Sequence, residues 1–135
     1  MKLTKKNIEI IKKFAQHCVS TLEIKGHVKI TLSKKQTGQP TAGYFDPSNC
    51  HIFVSVNNRA IADVMRTLSH ELTHCKQQER GDLFPSDDEG LQPLEDEANV
   101  MSGRLVRFYG RKNREIYEDL ISEGLQRFLY NSPKS

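Results

Sequence analysis

The stretch SHELTHCKQQ, residues 69–78, places two of the chain's five histidines four positions apart, with a glutamate directly after the first. On a helix, residues with this spacing lie on the same face, about one turn or roughly 6 Å apart. The imidazoles of His70 and His74 could then converge on one ion, and zinc favours nitrogen and oxygen ligands in a tetrahedral arrangement. Glu71 lies on the adjacent face, where it is placed to contact a water molecule at the metal as a general base. The alternative is a pair of solvent-facing histidines on an amphipathic helix.

A catalytic zinc needs three protein ligands and one open position. No histidine follows His74, and the extension HExxHxxGxxH is absent because Gln77 and Arg80 stand where it requires glycine and histidine. A third histidine could come only from upstream, where the chain has His17, His27 and His51. A carboxylate is the natural alternative, and the segment PLEDEANVMSG offers three of them: Glu95, Asp96 and Glu97.

HExxH on one helix and a glutamate on a second, downstream helix resemble the gluzincin clan of metallopeptidases. The ligand glutamate of that clan is commonly followed three positions later by a small residue, and Ala98 stands three positions after Glu95. EDEAN at 95–99 is also similar to the ExEAN segment of stress-response-type peptidases, and the short chain resembles minimal gluzincins and small phage or mobile-element metallopeptidases. The resemblance implies a Zn²⁺ site made by His70, His74 and Glu95, with Glu97 as the competing third ligand.

The same resemblance implies a zinc-dependent metallopeptidase that hydrolyses peptide bonds of a protein or peptide substrate, with Glu71 as the general base. The aspartate that orients the first histidine in thermolysin-like members is replaced by Asn99, which can accept the imidazole N–H but carries no charge. This departure motivates an alternative, a zinc-binding but catalytically inactive protein-interaction module. A latent form, in which the last helix or the tail covers the cleft, is a further alternative.

Two parts of the expected site stay open at this level. A sheet-edge strand usually binds the substrate as an added strand in this clan, and the candidates lie around 43–45 and 50–56. A tyrosine or histidine often stabilises the oxyanion in related enzymes, and sequence does not choose among the candidates. These candidates are Tyr44, His51, Tyr109 and Tyr117.

The pattern of apolar residues predicts the elements that must position these groups. The order indicates an α+β fold: an N-terminal helix, a small mainly antiparallel three-stranded sheet, the HExxH helix, the glutamate helix and a C-terminal helix. We expect one compact domain over residues 1–135. The predicted elements are a helix over 4–26, a strand over 27–32, two strands within 43–56, a helix from about 57 to 79, a loop over 80–92, a helix over 93–109 and a helix over about 112–130.

Local signals set several of these boundaries. Thr4 is the expected N-cap of the first helix, and Asn57 or Asn58 of the second. Pro93 suits the first turn of the glutamate helix. The acidic run at 87–89 is expected to lie in a solvated loop.

The composition is that of an ordinary globular domain of 135 residues, with 36% hydrophobic and 27% charged residues. The net charge is +3, without a basic run interleaved with aromatics, so nucleic-acid binding is not indicated. No segment is apolar enough to predict a membrane span or a signal peptide. The cysteines form neither a CxxC pair nor an even set, and we expect a reducing, cytoplasmic location. They are Cys18, Cys50 and Cys75.

Overall fold

The computed structural model describes residues 1–35, 42–82, 85 and 87–118. Within this part of the chain, no helix combines the length and the apolar character that crossing a membrane requires. The elements are α1 (Lys5–Thr21), β1 (Lys29–Ser33), β2 (Gly43–Asp46), β3 (His51–Ser55), α2 (Ile61–Glu79), α3 (Asp88–Lys112) and a short 3-10 helix (Arg114–Tyr117).

The three strands form one mixed sheet in the order β1–β3–β2. β2 and β3 pair antiparallel across a turn in which the Asp46 carboxylate accepts hydrogen bonds from the Ser48 amide (3.0 Å) and the Ser48 hydroxyl (2.7 Å). β1 pairs parallel with β3. β2 forms the far edge of the sheet, and the chain then turns back so that β3 fills the central position between β1 and β2. The predicted α+β class and three-stranded sheet are confirmed, and the sheet contains one parallel strand pair.

α2 is the central helix of the core. It contacts α1, α3, β2 and β3, so most of its circumference is buried. Its apolar stripe meets the completely buried Ile52 and Val54 on the inner face of β3 in one hydrophobic cluster. A helix in this position can carry polar residues only if they find partners. Ser69 and Thr73 do so within the helix, since their hydroxyls donate to the carbonyls of Met65 and Ser69, each at 2.9 Å.

The ends of the first two helices follow the predicted signals in part. The Thr4 hydroxyl accepts a hydrogen bond from the Asn7 amide at 3.1 Å, as an N-cap does. The prediction that Asn57 or Asn58 caps α2 is wrong, because α2 begins at Ile61 and Asn58 adopts a φ of 56° in the turn before it. Asparagine tolerates this left-handed conformation, so its role is to reverse the chain after β3.

The acidic run that was expected in a loop begins α3 instead. The Asp87 carboxylate accepts a hydrogen bond from the Gly90 amide at 2.6 Å, and Asp88 and Glu89 form the first turn. Carboxylates at this end of a helix are stabilised by unpaired amides and by the helix dipole. Pro93 therefore lies inside α3 and not in its first turn. The N–H that proline lacks would have bonded the carbonyl of Glu89, an exposed residue, so the helix tolerates it.

The end of α3 also differs from the prediction. The helix continues through Gly110 to Lys112, and the Tyr117 ring packs where a side chain at residue 110 would lie. Gly110 is thus a site of close packing inside the helix. In the described part of the predicted helix over 112–130, Arg114–Tyr117 form the 3-10 helix and Glu118 is helical, while residues 119–135 lie outside the described residues. The latent form, which depends on that segment, falls outside them as well.

Gly43 marks a close approach of β2 to α2. A Cβ at this position would lie 2.6 Å from Cγ2 of Thr67 and 2.9 Å from the carbonyl oxygen of Phe53. Gly43→Ala should therefore lower the free energy of unfolding by about 1–3 kcal/mol, measured by urea denaturation, because β2 or Thr67 must shift. Gly103→Ala in α3 is the matched control, since apart from its own helix no atom of the described residues lies within 4 Å of the added Cβ. It should raise stability by about 0.5–1 kcal/mol, and equal stabilities of the two variants would contradict the close approach.

Candidate metal centre

Three side chains from α2 and α3 converge at one point. Nε2 of His70 lies 3.1 Å from Oε2 of Glu95, and Nε2 of His74 lies 2.8 Å from Oε1 of the same carboxylate. The two Nε2 atoms are 3.1 Å apart, and the imidazole planes are inclined by 83°. These side chains could hold a metal ion and form the one such group found in the described residues. The upstream candidates His17 and His27 are not part of it.

The packing of α3 on α2 explains why Glu95 reaches the histidines. The buried stripe of α3 runs through Ala98, Ser102 and Leu105. Two small side chains at i and i+4 allow the two helices to approach closely. Glu95 and Glu97 lie on opposite flanks of this stripe because 200° of helical rotation separates two residues two positions apart. Only the Glu95 flank faces the histidines of α2.

Burial differs among the three groups. The His74 side chain is 9% exposed, that of His70 19% and that of Glu95 36%, so the site opens toward Glu95. Burial lowers the pKa of His70, and the neighbouring His74 lowers it further, while Glu95 and a hydrogen bond with the Asn99 side chain raise it. A lowered pKa favours the neutral imidazole, which is the form that binds a metal ion. Asn99 thus contacts the first histidine.

Glu71 is buried beside the metal-binding group and is not one of its three members. The residue is 9% exposed, and its side chain lines the same two clefts as His70 and Glu95. Burial raises the pKa of the Glu71 carboxyl to about 7; His74 opposes this shift, and the Glu95 carboxylate adds to it. The carboxyl is therefore placed to exchange a proton with a molecule bound at the histidines.

Glu97, the competing third ligand, lies outside the group. Its Oε1 accepts a hydrogen bond from the Gln77 amide at 2.7 Å and another from the Arg80 guanidinium. Both hydrogen bonds lower the pKa of Glu97, and the one from Arg80 has the larger effect. Gln77 in turn contacts Nδ1 of His74 through its Oε1 at 2.8 Å. Glu97 therefore acts on the site through Gln77 and not as a ligand.

Gln77 and Arg80 are the site residues that the sequence analysis missed. In the sequence, their identities indicate only that the HExxHxxGxxH extension is absent. The spacing does indicate a contact between Gln77 and His74, because residue 77 is three positions after His74 and lies on the same helix face. Arg80 is a further three positions along, close to Glu97 on the neighbouring helix.

Two clefts flank the metal-binding group. One, of about 350 Å³, is bounded by β2 and the turn after it, with Tyr44, Phe45 and Pro47 in its wall. The other, of about 430 Å³, is bounded by the first half of α2 and carries Arg59 and Arg66. Both clefts are lined by Gly43, His70, Glu71 and Glu95. An extended molecule could therefore run along β2 and across the group.

The four candidates for stabilising an oxyanion are separated by the structure. Of these, only Tyr44 lines either cleft, and its ring is stacked on Phe53. His51 lies on the outer face of the sheet, where its Nε2 is 2.7 Å from the Thr31 hydroxyl. Tyr109 packs edge-on against α1, and Tyr117 packs on the end of α3.

Comparison of the chain with protein-family models, with curated proteins and with solved structures finds no significant match. The geometry of the site and the sequence pattern are therefore the observations on which a function rests.

Replacing Glu95 tests which carboxylate completes the group. Glu95→Ala should abolish stoichiometric binding of a divalent metal ion, because two imidazoles remain without a charged third ligand. Asp96→Ala is the matched control, since Asp96 is exposed and hydrogen-bonds to Gln92 on the surface of α3. Equilibrium dialysis followed by metal analysis measures both variants. Wild-type affinity in Glu95→Ala, or loss of metal in Asp96→Ala, would contradict the assignment.

Proposed function

We propose that the protein is a zinc-dependent metallopeptidase of the gluzincin type, with His70, His74 and Glu95 as zinc ligands and Glu71 as general base. The observation that carries the proposal is the convergence of these two imidazoles and one carboxylate at clefts that Glu71 also lines. The HExxH sequence and the glutamate on the following helix support the same reading.

The donor set and its dimensions fit zinc. Ligand atoms at about 2.0–2.2 Å from a tetrahedral zinc lie about 3.3–3.6 Å from one another. The shortest separations among the two Nε2 atoms and the two Glu95 oxygens are 2.8–3.1 Å, and with one ligand atom per residue all three atoms lie within 4.8 Å of one another. Small movements of the side chains would therefore accommodate the ion. Two nitrogens and one oxygen leave a fourth position, which is the pattern of a catalytic rather than a structural site. That position would face the clefts.

Each residue then has a distinct task. A zinc ion in this site would supply a Lewis acid that acidifies water and polarises a substrate carbonyl. His70, His74 and Glu95 would hold the ion, and the Glu95 carboxylate would offset part of its charge. Glu71 would accept a proton from the attacking water on its carboxylate and pass it to the amine that leaves. Its burial shields that carboxylate from bulk solvent, so its interactions with a proton donor are strong.

β2 supports a peptide as the substrate. It is an edge strand, and the described residues place no strand on its outer side, whereas β3 is paired on both sides. Of the two strand regions considered from sequence, β2 therefore offers the better template for an added strand. Its residues also line the cleft beside His70 and His74, so a peptide paired with β2 would bring a backbone carbonyl near the ligands.

Glu71→Gln separates catalysis from metal binding. The amide is nearly isosteric but takes up no proton, so peptide hydrolysis should fall by about 10²–10⁴-fold, since that is the usual contribution of general acid–base catalysis. Zinc content should stay stoichiometric because Glu71 is not a ligand. Cleavage of a peptide library by wild type and variant, both analysed for zinc, measures the effect. Unchanged turnover in Glu71→Gln would refute the mechanism, and zinc-loaded wild type without any cleavage would point to a binding module.

A further inference from the structure

Gln77 links the buried histidine of the metal-binding group to α3. Its side chain is completely buried, at 0% exposure. Oε1 lies 2.8 Å from Nδ1 of His74, while Nε2 lies 2.9 Å from the Leu94 carbonyl oxygen and 2.7 Å from Oε1 of Glu97. All three contacts have ordinary hydrogen-bond lengths.

The partners of this amide determine which way it points. The Leu94 carbonyl and the Glu97 carboxylate can only accept hydrogen bonds, so the NH₂ group of Gln77 must face them. The amide oxygen is therefore the atom that faces His74, and it too can only accept. Nδ1 of His74 must then carry a proton and donate it.

This fixes the nitrogen that His74 offers to a metal ion. A neutral imidazole with a proton on Nδ1 has its lone pair on Nε2. Nε2 is the atom that lies 2.8 Å from Glu95 and 3.1 Å from Nε2 of His70. We propose that Gln77 is the positioning residue that sets the tautomer and ring orientation of His74, an inference that rests on the proposed zinc site.

Glu97 and Arg80 complete the arrangement. The Arg80 guanidinium bonds Glu97, and its Nε lies 2.6 Å from Oδ2 of Asp82, so the guanidinium is held between two carboxylates. Oε1 of Glu97 therefore receives hydrogen bonds from both the Arg80 guanidinium and the Gln77 amide. The series His74, Gln77, Glu97, Arg80 thus extends from the buried histidine to the surface. Gln77 and Arg80, three and six positions after His74, and Glu97, two positions after Glu95, thereby share one function.

Gln77→Met tests the contact with a side chain of similar size that accepts no strong hydrogen bond. Loss of an outer partner of a ligating histidine typically costs 10–100-fold in metal affinity, and we expect a loss of about that size for zinc. Gln78→Met is the matched control on the same helix, since Gln78 donates to the Pro47 carbonyl and accepts from the Cys50 thiol. Competition with a zinc chelator measures both, and circular dichroism checks that both variants are folded. Wild-type zinc affinity in Gln77→Met would overturn the inference.

An exchange of the two side chains tests hydrogen bonding separately from packing. In the double variant Gln77→Glu, Glu97→Gln, the carboxylate at 77 can accept from both His74 and the new amide at 97, but it loses the hydrogen bond to the Leu94 carbonyl. The amide oxygen at 97 can still accept from Arg80. The double variant should recover part of the zinc affinity that Gln77→Met loses. Affinity no better than that of Gln77→Met would contradict a role based on accepting the His74 proton.

The protonation of the ring nitrogens gives a readout that does not need zinc or peptidase activity. Long-range ¹H–¹⁵N correlation spectra of histidine-labelled wild type should show a protonated Nδ1 on His74. An unprotonated Nδ1 in wild type would overturn the inference even if Gln77→Met failed to fold. If wild type binds no zinc but shows the Nδ1 proton, the proposed function fails while the positioning of His74 by Gln77 stands.

Discussion

The close packing of α3 against α2 is the constraint on which the candidate site depends. The histidine pair comes from one helix, and local helical geometry is enough to place the two rings together. The third member comes from another helix and arrives only if the helices are held at a short, fixed distance. Ala98 and Ser102 lie on the buried stripe of α3, at 0% and 2% exposure, and their small side chains permit such an approach. A larger side chain at either position would push the helices apart and move Glu95 away from the histidines.

The same packing makes α2 a core helix that carries polar groups, and these must be compensated. Burying a polar side chain without a hydrogen bond costs about 1–3 kcal/mol in proteins. In the described part of the chain, no buried side-chain nitrogen or oxygen lacks a partner. Gln77 is the clearest case, because all three of its contacts are made in a fully buried position. Such a network offsets the cost of burying these polar groups and also restricts the orientation of the His74 ring. A side chain that binds a ligand needs a fixed orientation of this kind.

The sequence predicted the parts of the site that depend on short spacing. His70, Glu71 and His74 are separated by one helical turn, and Glu95 precedes a small residue that faces α2, so their placement follows from periodicity and from the family resemblance. The distinction between Glu95 and Glu97 depends on how α3 packs against α2, because the two residues lie on opposite flanks of α3. Glu95 contacts the histidines, whereas Glu97 contacts Gln77 and Arg80. The roles of Gln77 and Arg80 depend on contacts with Glu97 across helices, which no local pattern encodes.

The acidic run at 87–89 was misplaced because the same residues suit a solvated loop and a helix N-terminus. The parallel pairing of β1 with β3 depends on the route of the chain and not on alternation within either strand.

The proposed zinc ligands are His70, His74 and Glu95. The buried Cys75 thiol lies next to His74 in the sequence and is an alternative ligand that an experiment can test. Cys75 follows His74 directly, is 1% exposed and interacts with Cys50. Zinc K-edge X-ray absorption of the zinc-loaded protein distinguishes the two cases, because zinc–sulfur bonds are about 2.3 Å and zinc–nitrogen bonds about 2.0–2.1 Å. With His70, His74 and Glu95 as ligands, the spectrum should show two imidazoles, oxygen in the remaining positions and no sulfur. A sulfur shell, or only one imidazole, would contradict the site formed by His70, His74 and Glu95.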